Sequence, residues 1–340
     1  MTMNNQSSLD FYTNNYFGEL LAKDNINEIA YQKPHELWYQ DNKGVWHLCK
    51  TELNEAIALS YASTLANNMN DVINENKPIL SCMLPNGDRV QVTMPPSSKY
   101  TSITIRKPSR THITFEMIKN SGAFDEIKTV DEEAISKTDK ELRTFFEDKN
   151  WADFLSKSVE YGKNIVMVGE TGSGKTTFMK SLIDFIPINE RIITIEDVSE
   201  IVFHKHKNYV NLFYPDNAKP GDFLNAGVLL KSCLRMKPDR ILLAELRGSE
   251  AYDFINILSS GHKGSITSLH AGSCLETFTR LALMIIQSEQ GRAISFNRIL
   301  KMLEGAINVV VHFTEIKGKR FITGVYFDLV DKHILKKLQE

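Results

Sequence analysis

The 340-residue chain has little cysteine: its four, Cys49, Cys82, Cys233 and Cys274, lie far apart and form no C-x-x-C pair. That spacing excludes a disulfide framework and a cysteine-rich zinc site, and it fits a reducing cytoplasm. Long hydrophobic runs are also missing. The longest, such as Ala282–Ile286 and Val309–Val311, fall far short of the roughly 20 apolar residues that span a bilayer. The first segment, MTMNNQSSLDFYTNNYF, has no basic stretch leading into an apolar core, so it does not read as a secretion signal. Neither charge is in excess: 40 Lys plus Arg stand against 42 Asp plus Glu, a net charge of −2. Direct nucleic-acid binding is therefore not indicated, and neither is a main task of covering nucleic acid or an anionic membrane surface.

What is present is a 42% apolar composition, ample for buried cores in about two domains. Up to residue 112 the signals predict a small α+β domain. Glu36–Tyr39 and Val45–Leu48 flank the turn Asn42-Lys43-Gly44, a hairpin pattern. Ile79–Leu84 and Arg89–Met94 flank Pro85-Asn86-Gly87-Asp88, with Thr101–Ile105 expected alongside, and a helical pattern covers Glu52–Met69. An aromatic stripe, Leu9, Tyr12, Tyr16, Phe17, Leu20 and Leu21, is expected to pack within this domain, with Trp38 and Trp46 in its core. From Asn120 to Asn150, nine acidic and five basic residues occupy 31 positions. We read residues 113–150 as a solvated, charged linker with some helix. In a ring of subunits such a tether would let the first domain sit over a neighbour's second domain.

From residue 151 to 340, strand and helix patterns alternate, which predicts crossover units and a mostly parallel sheet with helices on both faces. The segment 169–176, Gly169-Glu170-Thr171-Gly172-Ser173-Gly174-Lys175-Thr176, matches G-x-x-x-x-G-K-[ST] and sits between an apolar strand and a helix, as the mechanism requires. Its glycines let successive N–H groups point at phosphate oxygens, and the following helix presents its positive end to the same anion. Lys175 is expected to reach the β- and γ-phosphates of ATP, Thr176 to ligate Mg²⁺, and Thr177 to complete the loop contacts.

Hydrolysis also needs carboxylates for metal and water. Two apolar runs end in acids: Ile192–Ile195 runs into Glu196-Asp197, and Ile241–Ala244 runs into Glu245. In a parallel sheet, ligands bind beyond the carboxyl ends of the strands, so both clusters are expected to open onto the phosphate loop. Glu245 is thus a candidate for metal and catalysis, Glu196 for catalysis, with Asp197 and Glu200 as lesser candidates. Arg240, Arg247, His262 and His270 form a basic group in the same stretch. His270, following the strand pattern Ser265–Leu269, is the candidate sensor of the γ-phosphate, with Arg247 beside it. Arg106, at a strand end in the first domain, is a candidate for closing the nucleotide site from another domain or subunit, as arginine fingers do.

Taken in order, GETGSGKTT, RIITIEDVSE, LRMKPDRILLAELRGSEAYD and SSGHKGSITSLHAGS resemble the Walker A, Asp, Walker B and His boxes of the secretion ATPase superfamily. From about Ile79 to Phe327 the chain is most similar to the VirB-type traffic ATPases of type IV secretion systems, with SITIRKPS and SCLRMKP also like that branch. The resemblance implies a RecA-like ATPase domain, a homohexamer, and hydrolysis of ATP with Mg²⁺ at subunit interfaces. It also implies peripheral attachment at the cytoplasmic face of the inner membrane, made largely through partners, the components that export DNA or protein effectors and build pili. It assigns Lys175 and Thr176 to Walker A, Glu196 to the Asp box, Glu245 to Walker B, His270 to the His box and Arg106 to the first-domain arginine. A second such arginine is not placed, since Arg110, Lys119 and Lys128 compete. The type II branch commonly carries a four-cysteine zinc module, which this chain lacks. The alternative function is a nucleic-acid translocase or helicase on a RecA-like core.

Overall fold

The structure is a computed structural model in which residues 2–108, 112–125, 127 and 135–338 are described. Arg110 and Lys128, two of the three candidates for a second first-domain arginine, lie outside them. The first domain is a six-stranded antiparallel sheet in the order β3-β2-β1-β6-β5-β4. Its strands are β1 (Ile26–Lys33), β2 (Glu36–Asp41), β3 (Trp46–Lys50), β4 (Ile79–Met83), β5 (Arg89–Thr93) and β6 (Ser102–Arg106). Both expected hairpins are there, and β6 pairs with β5. Missing from the sequence reading was β1, the strand that joins the two halves by pairing with β2 on one side and β6 on the other. It is buried along almost its whole length, so it has little of the alternation that marks a strand with one wet face.

One face of this sheet is covered by helices Thr2–Tyr16 and Glu55–Asn68. The second starts where Asn54 accepts a hydrogen bond from the Ile57 N–H, an N-cap that satisfies one of the helix's free donors. Leu9, Phe17 and Leu20 are buried in this core, and Tyr12, Tyr16 and Leu21 pack against it. Trp46, in contrast, leaves its own domain: its indole N–H donates to Asp239 at 3.1 Å.

The second domain carries a seven-stranded sheet in the order β13-β12-β7-β11-β10-β8-β9. The strands are β7 (Ile165–Gly169), β8 (Ile192–Glu196), β9 (Tyr209–Phe213), β10 (Arg240–Leu243), β11 (Ile266–Leu269), β12 (Val309–Ile316) and β13 (Lys319–Phe327). Every neighbouring pair from β12 to β9 is parallel, and only β13 runs antiparallel. Apolar cores lie on both faces, as an all-parallel sheet under helices demands.

The expected tether is shorter than its composition suggested. Helix Lys137–Glu147 falls within it, yet Leu142 is fully buried in a core of the second domain. Asp139 pairs with Lys163, and Glu141 accepts from the Tyr161 hydroxyl at 2.8 Å. The charges mark one wet helix face, and the single apolar stripe does the packing.

Within one chain the first domain packs on its own second domain. Arg191, fully buried, donates to the Met236 carbonyl at 2.9 Å and to Asn208 at 2.7 Å, and it also contacts Gln32 of β1. The Gln91 amide donates to the Ser232 hydroxyl at 2.9 Å. At the outer edge of β9, the Phe213 N–H donates to the Ser97 carbonyl at 2.8 Å, and Ser98 bridges to Leu212. The first domain thereby covers a sheet edge that would otherwise expose unpaired backbone groups.

Candidate active site

The phosphate loop begins on the last residue of β7, an interior strand whose neighbours are β11 and β12. Gly169 has φ +146°, and a side chain there would meet the Phe313 carbonyl oxygen at 2.2 Å, so close approach and backbone conformation both require glycine. Gly172 and Gly174 also have positive φ, +80° and +97°. Ser173 is buried, its hydroxyl donating to the Glu170 carbonyl at 2.7 Å, while the side chains of Glu170, Thr171 and Thr177 are exposed and Thr176 is half-buried.

Helix Lys175–Ile183 starts from Gly174 with no side-chain cap, which leaves its first N–H groups available to an anion. The Lys175 ammonium donates to the Gly169 and Glu170 carbonyls at 2.7 and 2.8 Å. Burial pulls its pKa down, and Glu245 acts against that. Among the described residues this buried ammonium is bonded to carbonyls of its own loop and to no counter-charge, so the donor set suits a polyanion such as a triphosphate.

Glu245, at the carboxyl end of β10, meets His270, at the carboxyl end of β11. The imidazole Nε2 lies 3.0 Å from one carboxylate oxygen, and Nδ1 lies 3.1 Å from the Gly169 carbonyl. Both contacts face acceptors, so both are hydrogen bonds only when each ring nitrogen carries a proton. The other oxygen of Glu245 accepts from Arg247 at 3.1 Å, and the same guanidinium reaches Asp197 at 2.7 Å and pairs with Asp216. Partial burial lowers the Arg247 pKa, but the carboxylates outweigh it and the net direction is upward. The loop, Lys175, Glu245, Arg247, Asp197 and His270 are thus joined by direct contacts or by charge.

Glu196 departs from expectation. Its carboxylate is fully buried and turned into its own strand-end turn. It accepts from the Thr194 hydroxyl at 2.5 Å, the Asn211 amide at 3.1 Å, and the N–H groups of Glu200 and Ile201, each at 2.8 Å. Four donors saturate it, so in this conformation it anchors residues 197–201 and Asp197 is the acid that meets the site. Residues two apart in a strand share a face, which places Glu196 beside Thr194, with Asn211 reaching both from β9.

Arg240 and His262 stand apart from this group. Arg240, at the amino end of β10, is buried, pairs with Glu190 and donates to the Val159 carbonyl at 3.1 Å, a structural role. With His262 it lines a polar cleft of about 490 Å³ at the amino ends of the strands. Arg106 pairs with Glu28 at 3.5 Å in the first domain. Among the described residues no contact joins it to the phosphate loop of its own chain.

Sequence reasoning missed Asp216, which pairs with Arg247, and Arg320 of β13, whose Cδ would lie 2.9 Å from a side-chain carbon added at Gly174. The hairpin turn before Arg320 was readable. Its position beside the loop depends on β12 pairing with β7, which no local pattern announces.

A central parallel sheet, a glycine loop leading into a helix, and an acid and a histidine at adjoining strand ends define a P-loop nucleotide hydrolase. The chain matches the model of the family described as "Type II/IV secretion system protein" over residues 20–317 and belongs to that family. It is 43% identical over 291 residues to the type IV secretion system protein VirB11 of Brucella suis, covering 84% of this chain and 80% of that one. It is 36% identical over 316 residues to the type IV secretion system protein PtlH of Bordetella pertussis, with 90% of each chain covered. The crystal structure of the Brucella suis VirB11 ATPase in complex with sulphate superposes with a TM-score of 0.91 at 39% identity, covering 99% of both chains. This chain is accordingly an ATPase of the type IV secretion branch, and the translocase alternative is not favoured. No described helix is long and apolar enough to cross a membrane.

Proposed function

We propose that the chain works as a homohexameric, Mg²⁺-dependent ATPase. It would sit at the cytoplasmic face of the inner membrane and drive export of DNA or protein effectors, and pilus assembly, through membrane-bound secretion components. The observation that carries the reading is Glu245, fixed by His270 and Arg247 next to Lys175. The loop N–H groups and Lys175 hold the phosphate chain. Lys175 exchanges its two carbonyl partners for phosphate oxygens. Glu245 orients the attacking water, and His270, bonded to both Glu245 and the first loop residue, registers whether the terminal phosphate is present. Arg247 keeps Glu245 in place and balances its charge. Thr176 and Glu245 would hold Mg²⁺, which when bound would supply charge to offset that of the phosphates.

Arg106 enters from a neighbouring subunit in this reading, because its own chain holds it against Glu28 while the first domain covers the β9 edge. Sedimentation velocity with and without ATP tests the ring: six subunits per particle are expected with nucleotide, with Arg106→Ala weakening hydrolysis more than assembly. Monomers at all concentrations with full turnover would contradict it.

A further inference from the structure

A row of charges crosses three strands at one end of the first-domain sheet. Arg89 of β5 stands directly opposite Arg106 of β6, and Arg106 stands directly opposite Glu28 of β1. Residues paired this way share a face and interact, attracting when their charges are opposite and repelling when they are alike. Arg106 is therefore pushed from the Arg89 side and drawn to the Glu28 side. Glu28 is buried, and its Oε1 lies 3.5 Å from the Arg106 Nε. Its Oε2 has no hydrogen-bond partner among the described residues.

This ion pair engages Nε, the inner nitrogen of the guanidinium, while the Arg106 side chain as a whole remains 63% exposed. Among the described residues no hydrogen bond or other ion pair engages its two terminal nitrogens. Arg106 borders a cleft of about 390 Å³ between the domains, together with Arg89 and, from the short turn Leu234–Met236 of the second domain, Arg235. Among the described residues that line this cleft there is no carboxylate. A guanidinium held from behind with its terminal fork free suits bidentate contact with an anion brought from outside the chain. A freely rotating arginine loses much rotamer freedom on reaching such an anion, and one already anchored loses less.

We propose that Glu28 is a positioning residue for ATP hydrolysis: its carboxylate holds Arg106 through Nε and aims the terminal nitrogens at the phosphates bound by a neighbouring subunit. This rests on the reading of Arg106 as an arginine supplied across the subunit interface. Glu28 touches no nucleotide and acts through Arg106 alone. The charged groups around it are Arg106 on β6, Arg89 next in the row on β5, and Lys237 and Arg191 from the second domain. Burial raises the Glu28 pKa to about 7 against the pull of Arg106, Lys237 and Arg191. The carboxylate is thus ionised, and its hold on Arg106 complete, on the alkaline side of that value.

The test is steady-state phosphate release from ATP with Mg²⁺ by the assembled full-length chain, at pH 6 and pH 8, for wild type, Glu28→Gln, Arg106→Ala and the double variant. At pH 8 Glu28→Gln is expected to lower kcat about tenfold with KM within about twofold, because an arginine of this kind acts on the transition state. At pH 6, where the wild-type carboxyl is mostly protonated, the two proteins should agree within about twofold. In the Arg106→Ala background Glu28→Gln should add no further loss at either pH. Glutamine keeps the shape of glutamate, and thermal melting checks that the fold is retained. If Arg106→Ala slows turnover but Glu28→Gln matches wild type at pH 8, or slows it equally at both pH values, or slows the Arg106→Ala protein further, Glu28 does not position Arg106 and the reading of Arg106 survives. If Arg106→Ala turns over like wild type, that reading itself fails and takes this inference with it.

Discussion

Glu245 and Glu196 are the same residue type, each after an apolar run of a parallel strand, and the structure gives them different work. Glu245 is tied to Arg247 and His270 at the mouth of the phosphate loop, whereas Glu196 is saturated by donors of its own turn. Glu245→Gln should therefore lower ATP turnover by about 100-fold or more with little change in melting temperature, because it removes charge but keeps shape. Glu196→Ala should cost stability, about 1–3 kcal/mol, by leaving buried N–H groups without an acceptor. Denaturant titration and a phosphate-release assay on both variants separate the two roles. Identical profiles for the two would refute the distinction. The acids themselves were legible at this scale, because an acid after an apolar strand is a readable pattern. Which of two adjacent acids faces the ligand was not, since it depends on where the chain turns after the strand and on Asn211 arriving from β9.

Glu28 carries a second consequence. Burial raises its pKa to about 7, against the downward pull of Arg106, Lys237 and Arg191. Between its ordinary value of 4.5 and about 7 the folded state binds more protons than the unfolded chain, so stability falls as pH rises through this window and levels off above it. The loss approaches about 3 kcal/mol at most, from a shift of this size. Glu28→Gln should flatten that slope and exceed wild type in urea midpoint at pH 8. A wild-type midpoint that climbs from pH 5 to pH 7, with Glu28→Gln climbing alike, would contradict it.

At the scale of elements, the parallel strands and their helices were readable because four apolar residues between turn signals leave few alternatives. The elements that escaped have sequence patterns weaker than their burial: β1, buried on both faces; β9, a short edge strand; and helix Phe296–Ala306, which packs on the core through Ile299, Leu300 and Leu303. Only the completed sheets show why they are needed, β1 to join two hairpins and β9 to meet the first domain. Arg191, just before β8, ties these pieces together. Burial lowers its pKa to about 10, with Asp239 and Glu28 acting against that, so the guanidinium stays charged near neutrality. It also lies 5.2 Å from the Trp46 ring centroid. Arg191→Ala would leave a void and strip Asn208 and Gln32 of their shared donor, a cost of about 3 kcal/mol. The expected sign is an early change in tryptophan fluorescence, preceding loss of helical signal in denaturant. A single transition at the wild-type midpoint would show that the two domains do not depend on this residue.

For the whole molecule, the net charge is −2, and among the described residues no helix is long and apolar enough to cross a membrane. The charged segment between the domains proved partly structural, with its second half packed on the ATPase domain, so the first domain has less free chain than composition implied. Within one chain the first domain shields the β9 edge, and Arg106 makes no described contact with the phosphate loop. The site as a whole is therefore assembled from one chain's loop and strand ends and, in the proposed ring, from a neighbour's arginine. All of this depends on the loop serving as an ATP-hydrolysing site. The most direct measurement is the steady-state release of phosphate from ATP with Mg²⁺ by the assembled wild-type protein, beside Lys175→Ala. The account predicts steady turnover in wild type and a loss of about 100-fold or more in the variant. Equal rates in the two proteins, or no turnover by an assembled wild type, would contradict it.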